Sequence, residues 1–428
     1  MYRKFIEKSI TLRIDYILFF SVVALVMLFL IINPKFGSSN AAGPAELILS
    51  QRCEELLGKD LTEKLIQEYK GILMITQPRT IYSETSRVPQ IRVANGKADL
   101  LFFDDGEFSD LVRDNALASL GPYIKTENYS SDALAIPLVS HMDMLFYNID
   151  LLKAAGFVRP PKTRAEFLAW GKDIGAAGEG IAGAALGLSP DDNKSLSRDI
   201  YSWIWAAGGG LWSENSQNQD KPVFNTPVAA GVLSFLGELN REGIITPQIF
   251  NKTGEDLLEE FAQGRIAMMI ATTRAISLLR EKMGDGAFGV TAIPGVIDSR
   301  KSGVGLSYIY CGISSDCADP DRAWNFLGFL AGKNAVISAG LEAVPGVVPG
   351  LPSGIPSVDY ITGDPFFSKA WDVFESSEIV HGFSGVPRAE EYDNAVREEL
   401  MNLLEQKSTA AEAAAAIQNR WDSIFSRD

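Results

Sequence analysis

The chain has 428 residues, 46% of them hydrophobic and 22% charged, with a formal net charge of −15. That length exceeds one ordinary hydrophobic core, so two lobes or domains are expected, and the composition excludes a disordered chain. The acidic balance and the lack of a long basic stretch exclude nucleic acid as a partner, because no counterion release is available to drive such binding.

Tyr16 to Ile32 is an apolar run with a single Ser, preceded by Arg3, Lys4, Lys8 and Arg13. At helical rise it reaches roughly 25 Å, near the lower limit for crossing a bilayer, and the basic flank places Met1 in the cytoplasm. The small-x-small site at Ser39 to Ala41 lies well past the apolar run, beyond Asn33, Pro34 and Lys35, and no Cys follows it for a lipid anchor. The preferred reading is therefore a retained signal-anchor over 1–32 and a flexible tether over 33–45, with a cleaved signal peptide as the competing one. The folded part is then expected outside the cytoplasm, beyond the membrane.

From Ala45 onward, short apolar runs alternate with amphipathic stretches. Glu46 to Leu49 and Ile72 to Ile75 read as strands flanking a helix at Leu61 to Tyr69, and Ala98 to Phe103 reads as a third buried strand. This is the start of an α/β sheet. Ligands of open α/β sheets sit beyond the carboxyl ends of strands, which makes Phe103, Asp104, Asp105 and Glu107 candidate contacts; capping of a following helix by Asp is the competing reading.

Ala135 to Gly156 reads as a strand that crosses between lobes, displays polar groups including His141, and runs into a helix. Thr163 and Glu166 have capping-box spacing, so a helix begins at Arg164 with Phe167, Gly171 and Ile174 on one face. Thr226 and Pro227 open a helix striped by Val228, Val232, Leu236 and Leu239 and ended by Gly243. A capped helix with Leu257 and Phe261 stops at Gly264, a buried strand follows over Arg265 to Ile270, and Thr272, Thr273 and Arg274 open the next helix. Arg274 at that strand end is read as a donor fork aimed into a cleft, with an exposed first-turn residue as the competing reading. Asp319 and Pro320 start a helix through Ala323, Leu327 and Leu330. The last helix, Thr409 to Phe425, places Ala413, Ile417, Trp421 and Ile424 on one side, and the Val344 to Ser353 segment is a packed Pro/Gly connection.

Three cysteines give no disulfide framework. Extended chain between Cys311 and Cys317 would separate them by about 20 Å, against a bridge's reach of about 7 Å, and a turn at Ser314 to Asp316 would shorten this only somewhat. His141 and His381 alone supply imidazoles, so no metal site and no cofactor are expected.

In order and spacing these segments resemble the bacterial extracellular solute-binding proteins of ABC importers, of the maltose-binding-protein-like kind, over nearly all of Glu46 to Phe425. The pieces that carry the resemblance are Gly96 to Phe103, Ile136 to Leu152, Gly156 with Pro161 to Thr163, Ala206 to Gly210, Glu259 to Met269, Phe288 to Pro294 and Ala323 to Leu330. The resemblance implies a periplasmic-binding-protein-like clamshell: two α/β lobes joined by several hinge crossings and closing on a ligand. Crossings near Pro137 to Ser140, Val290 to Pro294 and Leu330 to Asn334 assign 46–137 with 294–331 to one lobe and 138–293 with 332–428 to the other.

The ligand positions implied are Phe103, Asp104, Asp105, His141, Thr272, Arg274, Ser307, Tyr308 and Tyr392, with Tyr308 and Tyr392 as rings for sugar stacking. Trp203 and Trp205 fit a helix face and read as core. Arg274 departs from the aromatic residue that related sugar binders often carry, which admits an acidic or phosphorylated sugar. The implied partners are a small carbohydrate-like solute and the permease subunits of an ABC importer, with the chain itself monomeric.

Two other functions are open. Ser140, His141 and Asp143 look superficially like a hydrolase triad, but neighbours on a strand point to opposite faces and no Gly-x-Ser-x-Gly elbow accompanies them. A membrane-tethered sensor with the same fold would share every feature read so far. Binding is the preferred reading, and no enzyme is expected.

Overall fold

The computed structural model describes residues 47–50, 52–57, 59–69, 73–75, 98–123, 133–192, 195–213, 221–296, 302–331, 351–352 and 363–427. The expected signal-anchor and tether lie outside the described residues, as do most of the Val344 to Ser353 connection and the third crossing beyond Ala331. Among the described residues no helix is long and apolar enough to cross a membrane.

The chain opens with β1 (Leu47–Leu49), then α1 (Arg52–Leu57) and α2 (Lys59–Glu68), and returns through β2 (Leu73–Ile75), which pairs parallel to β1. α1 is additional to the single expected helix. Its Cys53, Leu56 and Leu57 fall at one-turn spacing and are all buried. β3 (Leu100–Asp104) joins β1 in parallel and is buried along its whole length, and α3 (Asp105–Arg113) follows directly.

β4 (Ile136–Asn148) organises the molecule. Its first part, Ile136 to Met142, pairs antiparallel with β9 (Gly303–Ile313), whereas Asp143 to Asn148 pairs with β7 (Met268–Thr272) and β8 (Phe288–Thr291). The change of partner falls between Met142 and Asp143, past the Pro137 to Ser140 stretch, where the ladder has a register shift instead. One nine-stranded sheet therefore runs β10-β4-β9-β3-β1-β2, with β7 and β8 added to β4, β11 (Glu378–Val380) added to β9, and β10 being Leu351–Pro352. We call the β1–β3 side the N-terminal lobe and the β7–β8 side the C-terminal lobe; β4 and β9 serve both.

The second half of β4 alternates between two cores. Met144 and Phe146 pack with Leu257, Ile276 and Phe288, whereas Leu145 packs with Phe167, Trp203 and Leu236. Both faces are thus covered, which explains why the strand reads as an almost unbroken apolar run. A separate core fills the N-terminal lobe around Leu47, Cys53, Phe102, Cys311 and Leu327.

The helices of the C-terminal lobe start where local chemistry puts them. After α4 (Ile149–Ala154), α5 (Arg164–Ala177) is capped by Thr163, whose hydroxyl accepts from Glu166 N at 3.2 Å. The expected reciprocal half is absent: Glu166 instead accepts from Lys162 N at 2.8 Å and pairs with Arg159 at 2.7 Å. That pair and the Lys162 amide bring the Glu166 carboxyl down to about 2. A five-residue π turn at Ser197–Tyr201 leads into α6 (Ser202–Ala206). The β5 (Trp212–Ser213) and β6 (Lys221–Pro222) ribbon precedes α7 (Pro227–Arg241), capped by Thr226.

α8 (Gly254–Ala262) has the complete box, Thr253 with Asp256, each such cap being worth about 1 kcal/mol. The strand expected over Arg265 to Ile270 is β7, displaced to Met268–Thr272 because the ladder with β4, not burial, defines it. α9 (Ala275–Met283), α10 (Pro320–Ala331), α11 (Pro365–Ser376), α12 (Ala389–Leu404) and α13 (Ala410–Phe425) complete the chain. α13 buries Ala413, Ile417, Trp421 and Ile424, the stripe read from sequence, behind a Thr409–Glu412 box. Cys53, Cys311 and Cys317 are free thiols.

Candidate functional site

The two lobes meet where the carboxyl ends of β3 and β7 approach the middle of β4 and β9. At the end of β3, Asp104 is the N-cap of α3, its carboxylate accepting from Gly106 N at 3.0 Å while Glu107 accepts from Asp104 N at 3.1 Å. Arg52, the first residue of α1, bonds Glu107 at 2.9 Å and lies 3.7 Å from Asp104. Burial raises the Glu107 carboxyl above its ordinary range, Asp104 adds to this, and Arg52 opposes both. The capping role of Asp104 is thus realised, and its carboxylate is largely enclosed.

Asp105 has a different task. It accepts from the Tyr308 amide, from the Tyr310 hydroxyl at 3.1 Å and from the Ser384 hydroxyl at 2.6 Å. Ser109, one turn along α3, donates to Phe383 O at 3.1 Å and accepts from Gly385 N at 3.1 Å. α3 is therefore fastened to the 383–385 turn, whose Phe383 belongs to the C-terminal core. Burial and the Asp105 charge push both the Tyr308 and Tyr310 hydroxyls above the usual tyrosine range, so both stay protonated donors.

His141 lies on β4 opposite Ser307 and is buried. Strand alternation puts it on the same face as Asp143, whose carboxylate accepts from Ser202 at 3.2 Å, and turns Ser140 to the other face. The Ser-His-x-Asp order is thus not a relay. At the end of β7, Thr272 pairs with Asp143. Thr273 stitches that end to β4, donating through its amide to Met142 O at 2.9 Å and accepting from Met142 N at 3.3 Å.

Arg274 follows in helical conformation at the start of α9, half-buried and without a capping bond. Burial pulls its guanidinium below the usual arginine range, Asp104 and Glu255 oppose this, and Arg52 adds to it. Its charge is thus felt by the Asp104 and Arg52 pair of the other lobe.

Two expected contacts belong to cores instead. Phe103 is 0% exposed, sandwiched by Phe108 at 5.2 Å and Tyr310 at 5.5 Å between ring centroids. Tyr392 is 1% exposed, stacked on Phe383 at 4.6 Å, with its carbonyl accepting from Trp421 Nε1 at 3.0 Å. Neither ring offers a face to a ligand, because each fills the apolar space behind its own element. Asp105, Thr272, Arg274, Ser307 and Tyr308 are partly open to solvent and lie along the meeting line. Arg52, Tyr310 and Ser384 join them at the meeting line without having been singled out, while Thr273 is buried behind it. Arg52 carried a signal, since it closely follows the apolar run Leu47 to Leu49; Ser384, 279 residues from Asp105, carried none. Among the described residues no group of His, Cys, Asp and Glu is placed to hold a metal.

A profile of the bacterial extracellular solute-binding proteins matches residues 81–337, more than half of the chain. The chain belongs to this family. A probable ABC transporter-binding protein of Deinococcus radiodurans is 21% identical over 309 residues, 71% of this chain and 72% of that one. Binding proteins of Brucella abortus and Brucella suis are 23% identical over 201 residues, and the match spans 46% of their length and 46% of this chain.

Several solved structures share the fold. Maltose-bound T. maritima MalE3 superposes with a TM-score of 0.68 at 18% identity, over 89% of this chain and 99% of that one. UgpB from Mycobacterium tuberculosis, in complex with glycerophosphocholine, gives 0.68 at 17% over 90% and 99%. A Thermotoga lettingae ABC transporter solute-binding protein with alpha-D-tagatose gives 0.68 at 19% over 88% and 98%. This is the α/β periplasmic-binding-protein-like fold, and the family's role is solute binding rather than catalysis.

Proposed function

We propose that the chain is an exported, membrane-tethered solute-binding protein that captures a carbohydrate or carbohydrate-like solute between its lobes and delivers it to the permease subunits of an ABC importer. The observation that carries this reading is the row of partly open polar groups, Asp105, Thr272, Arg274, Ser307 and Tyr308, where two separately cored lobes share β4 and β9. Hydroxyls, a carboxylate and a guanidinium beside a tyrosine ring form the donor and acceptor set that a sugar's hydroxyls and apolar face require. Relatives of the same fold, solved with maltose, alpha-D-tagatose and glycerophosphocholine, support a small polyhydroxylated solute.

The division is read as 46–137 with 294–331 against 138–293 with 332–428, the lobes moving about the shared strands as a monomer. Solute that contacts both lobes favours the closed arrangement, since only differential affinity shifts such an equilibrium. A thermal-shift titration of the full chain in detergent against sugars, sugar acids and sugar phosphates tests the reading. Solute at a hundred times its dissociation constant stabilises by about 2.7 kcal/mol. A panel of these classes that leaves the melting temperature unchanged at saturating concentrations would sink the reading.

A further inference from the structure

Cations of this fold are matched to acids in most places where they leave water. Arg52 binds Glu107 and Glu55, Arg198 binds Asp199 and Asp192, and Arg280 binds Asp285 and Asp364. Arg164, which has no acid, is enclosed in the C-terminal core and donates to the Trp203 carbonyl with its guanidinium over the Trp203 and Phe235 rings. Arg274 differs from all of these. Among the described residues it forms no hydrogen bond, no ion pair and no cation–π contact, although it is half-buried at the line between the lobes.

The acid that acts on it from the N-terminal lobe, Asp104, is no spare counter-ion. Asp104 caps α3 and lies 3.7 Å from Arg52, whose own charge opposes the approach of a second guanidinium. Arg274 is thus half out of water without a carboxylate of its own among the described residues. A planar N–H fork removed from water calls for an oxyanion that accepts from it bidentately. Thr272 on the same strand end, and Ser307 and Tyr308 on β9, are neutral donors and acceptors, while the Asp105 carboxylate in the same row is already engaged by the Tyr308 amide, Tyr310 and Ser384, and Glu255 acts on Arg274 through its charge without an ion pair.

Resting on the proposed solute-binding function, we infer that the solute is anionic, its oxyanion held by Arg274 and its hydroxyls by Thr272, Ser307 and Tyr308. A carboxylate of a sugar acid and a phosphate of a sugar phosphate share this chemistry. The chain's net charge of −15 gives an anion no long-range attraction, so preference for it rests on this local fork.

The test is a calorimetric titration of the full chain in detergent with matched pairs, glucuronate against glucose and ribose phosphate against ribose, repeated on Arg274→Gln and Arg274→Lys. One anionic member is expected to bind at least tenfold more tightly than its neutral partner. Arg274→Gln is expected to remove that preference with an unchanged melting temperature of the free protein, and Arg274→Lys to retain part of it. Which pair responds tells carboxylate from phosphate. Neutral sugars binding as tightly as the anions, or an anion bound equally by wild type and Arg274→Gln, would overturn the inference while leaving solute capture standing. Binding of neither class would overturn both.

Discussion

Gly305, the third residue of β9, is the place where a single methyl group tests the packing of the shared strand. A Cβ built there lies 2.9 Å from Trp205 Cε3 and 3.0 Å from Cη2, with Cζ3 closer still. Trp205 is 1% exposed and belongs to the C-terminal core, and a Cβ added at Gly382 would lie 3.7 Å from its Cζ2 and Cη2, so the ring has little room to give way. Overpacking costs about 1–3 kcal/mol, and contacts this close to a buried ring put Gly305→Ala at about 3 kcal/mol; alanine recovers roughly 0.5–1 kcal/mol of glycine's backbone entropy, leaving a net loss of about 2–2.5 kcal/mol. Gly231 on α7 is the control, because its added Cβ meets nothing within 4 Å. Gly231→Ala should gain about 0.8–1 kcal/mol from helix propensity. Urea unfolding followed by circular dichroism reads both as shifts of midpoint at constant slope. Trp205→Phe should be partly compensated by Gly305→Ala, a coupling that a double-mutant cycle isolates. Gly305→Ala proving as stable as wild type while Gly231→Ala gains stability would refute the argument.

The buried Arg198 cluster and the Tyr201–Asp393 pair give two further expectations. Arg198 bonds Asp199, Asp192 and the Gly187 carbonyl, so Arg198→Ala strands a fully buried Asp199 and should cost about 3–5 kcal/mol in the same unfolding assay; a loss under about 1 kcal/mol would contradict that pairing. Asp393 accepts from the Tyr201 hydroxyl at 2.6 Å and is lifted by burial to about 6, above the unfolded value of about 3.9. The folded state then holds this proton more tightly than the unfolded one, so its contribution is fully present below about pH 4 and is lost as pH rises through about 6. The stability of wild type relative to Asp393→Asn should fall across that window, and a pH-independent difference would count against the assignment.

Local chemistry was the most legible part of this chain. The caps at Thr226, Thr253 and Thr409 are short-range arrangements of hydroxyl and backbone, and they are found where the residues place them. Thr163 shows the limit, because Glu166 was drawn away by Arg159, a partner seven residues off. Apolar patterning located β7 but misplaced its ends, since Ile266 and Ala267 are as buried as the strand itself and only the ladder with β4 separates them.

The residues of the proposed site are easiest to place from sequence at strand ends. Asp105 and Arg274 follow β3 and β7, where an open sheet presents its ligands. Phe103 and Tyr392 were misjudged because an aromatic residue's type says nothing about whether its ring lies in a core or a cleft, and tertiary packing put both in cores. Ser384 comes to the meeting line through a contact remote in sequence that no one-dimensional pattern records.

Hydrogen exchange of the full chain with and without a saturating solute tests most directly whether the meeting line of the lobes is where solute is held. The expected result is solute-dependent protection in peptides spanning 104–107, 272–276 and 305–309, with the far face of α13 unchanged. Protection confined to other segments in the presence of a tightly bound solute would contradict the account.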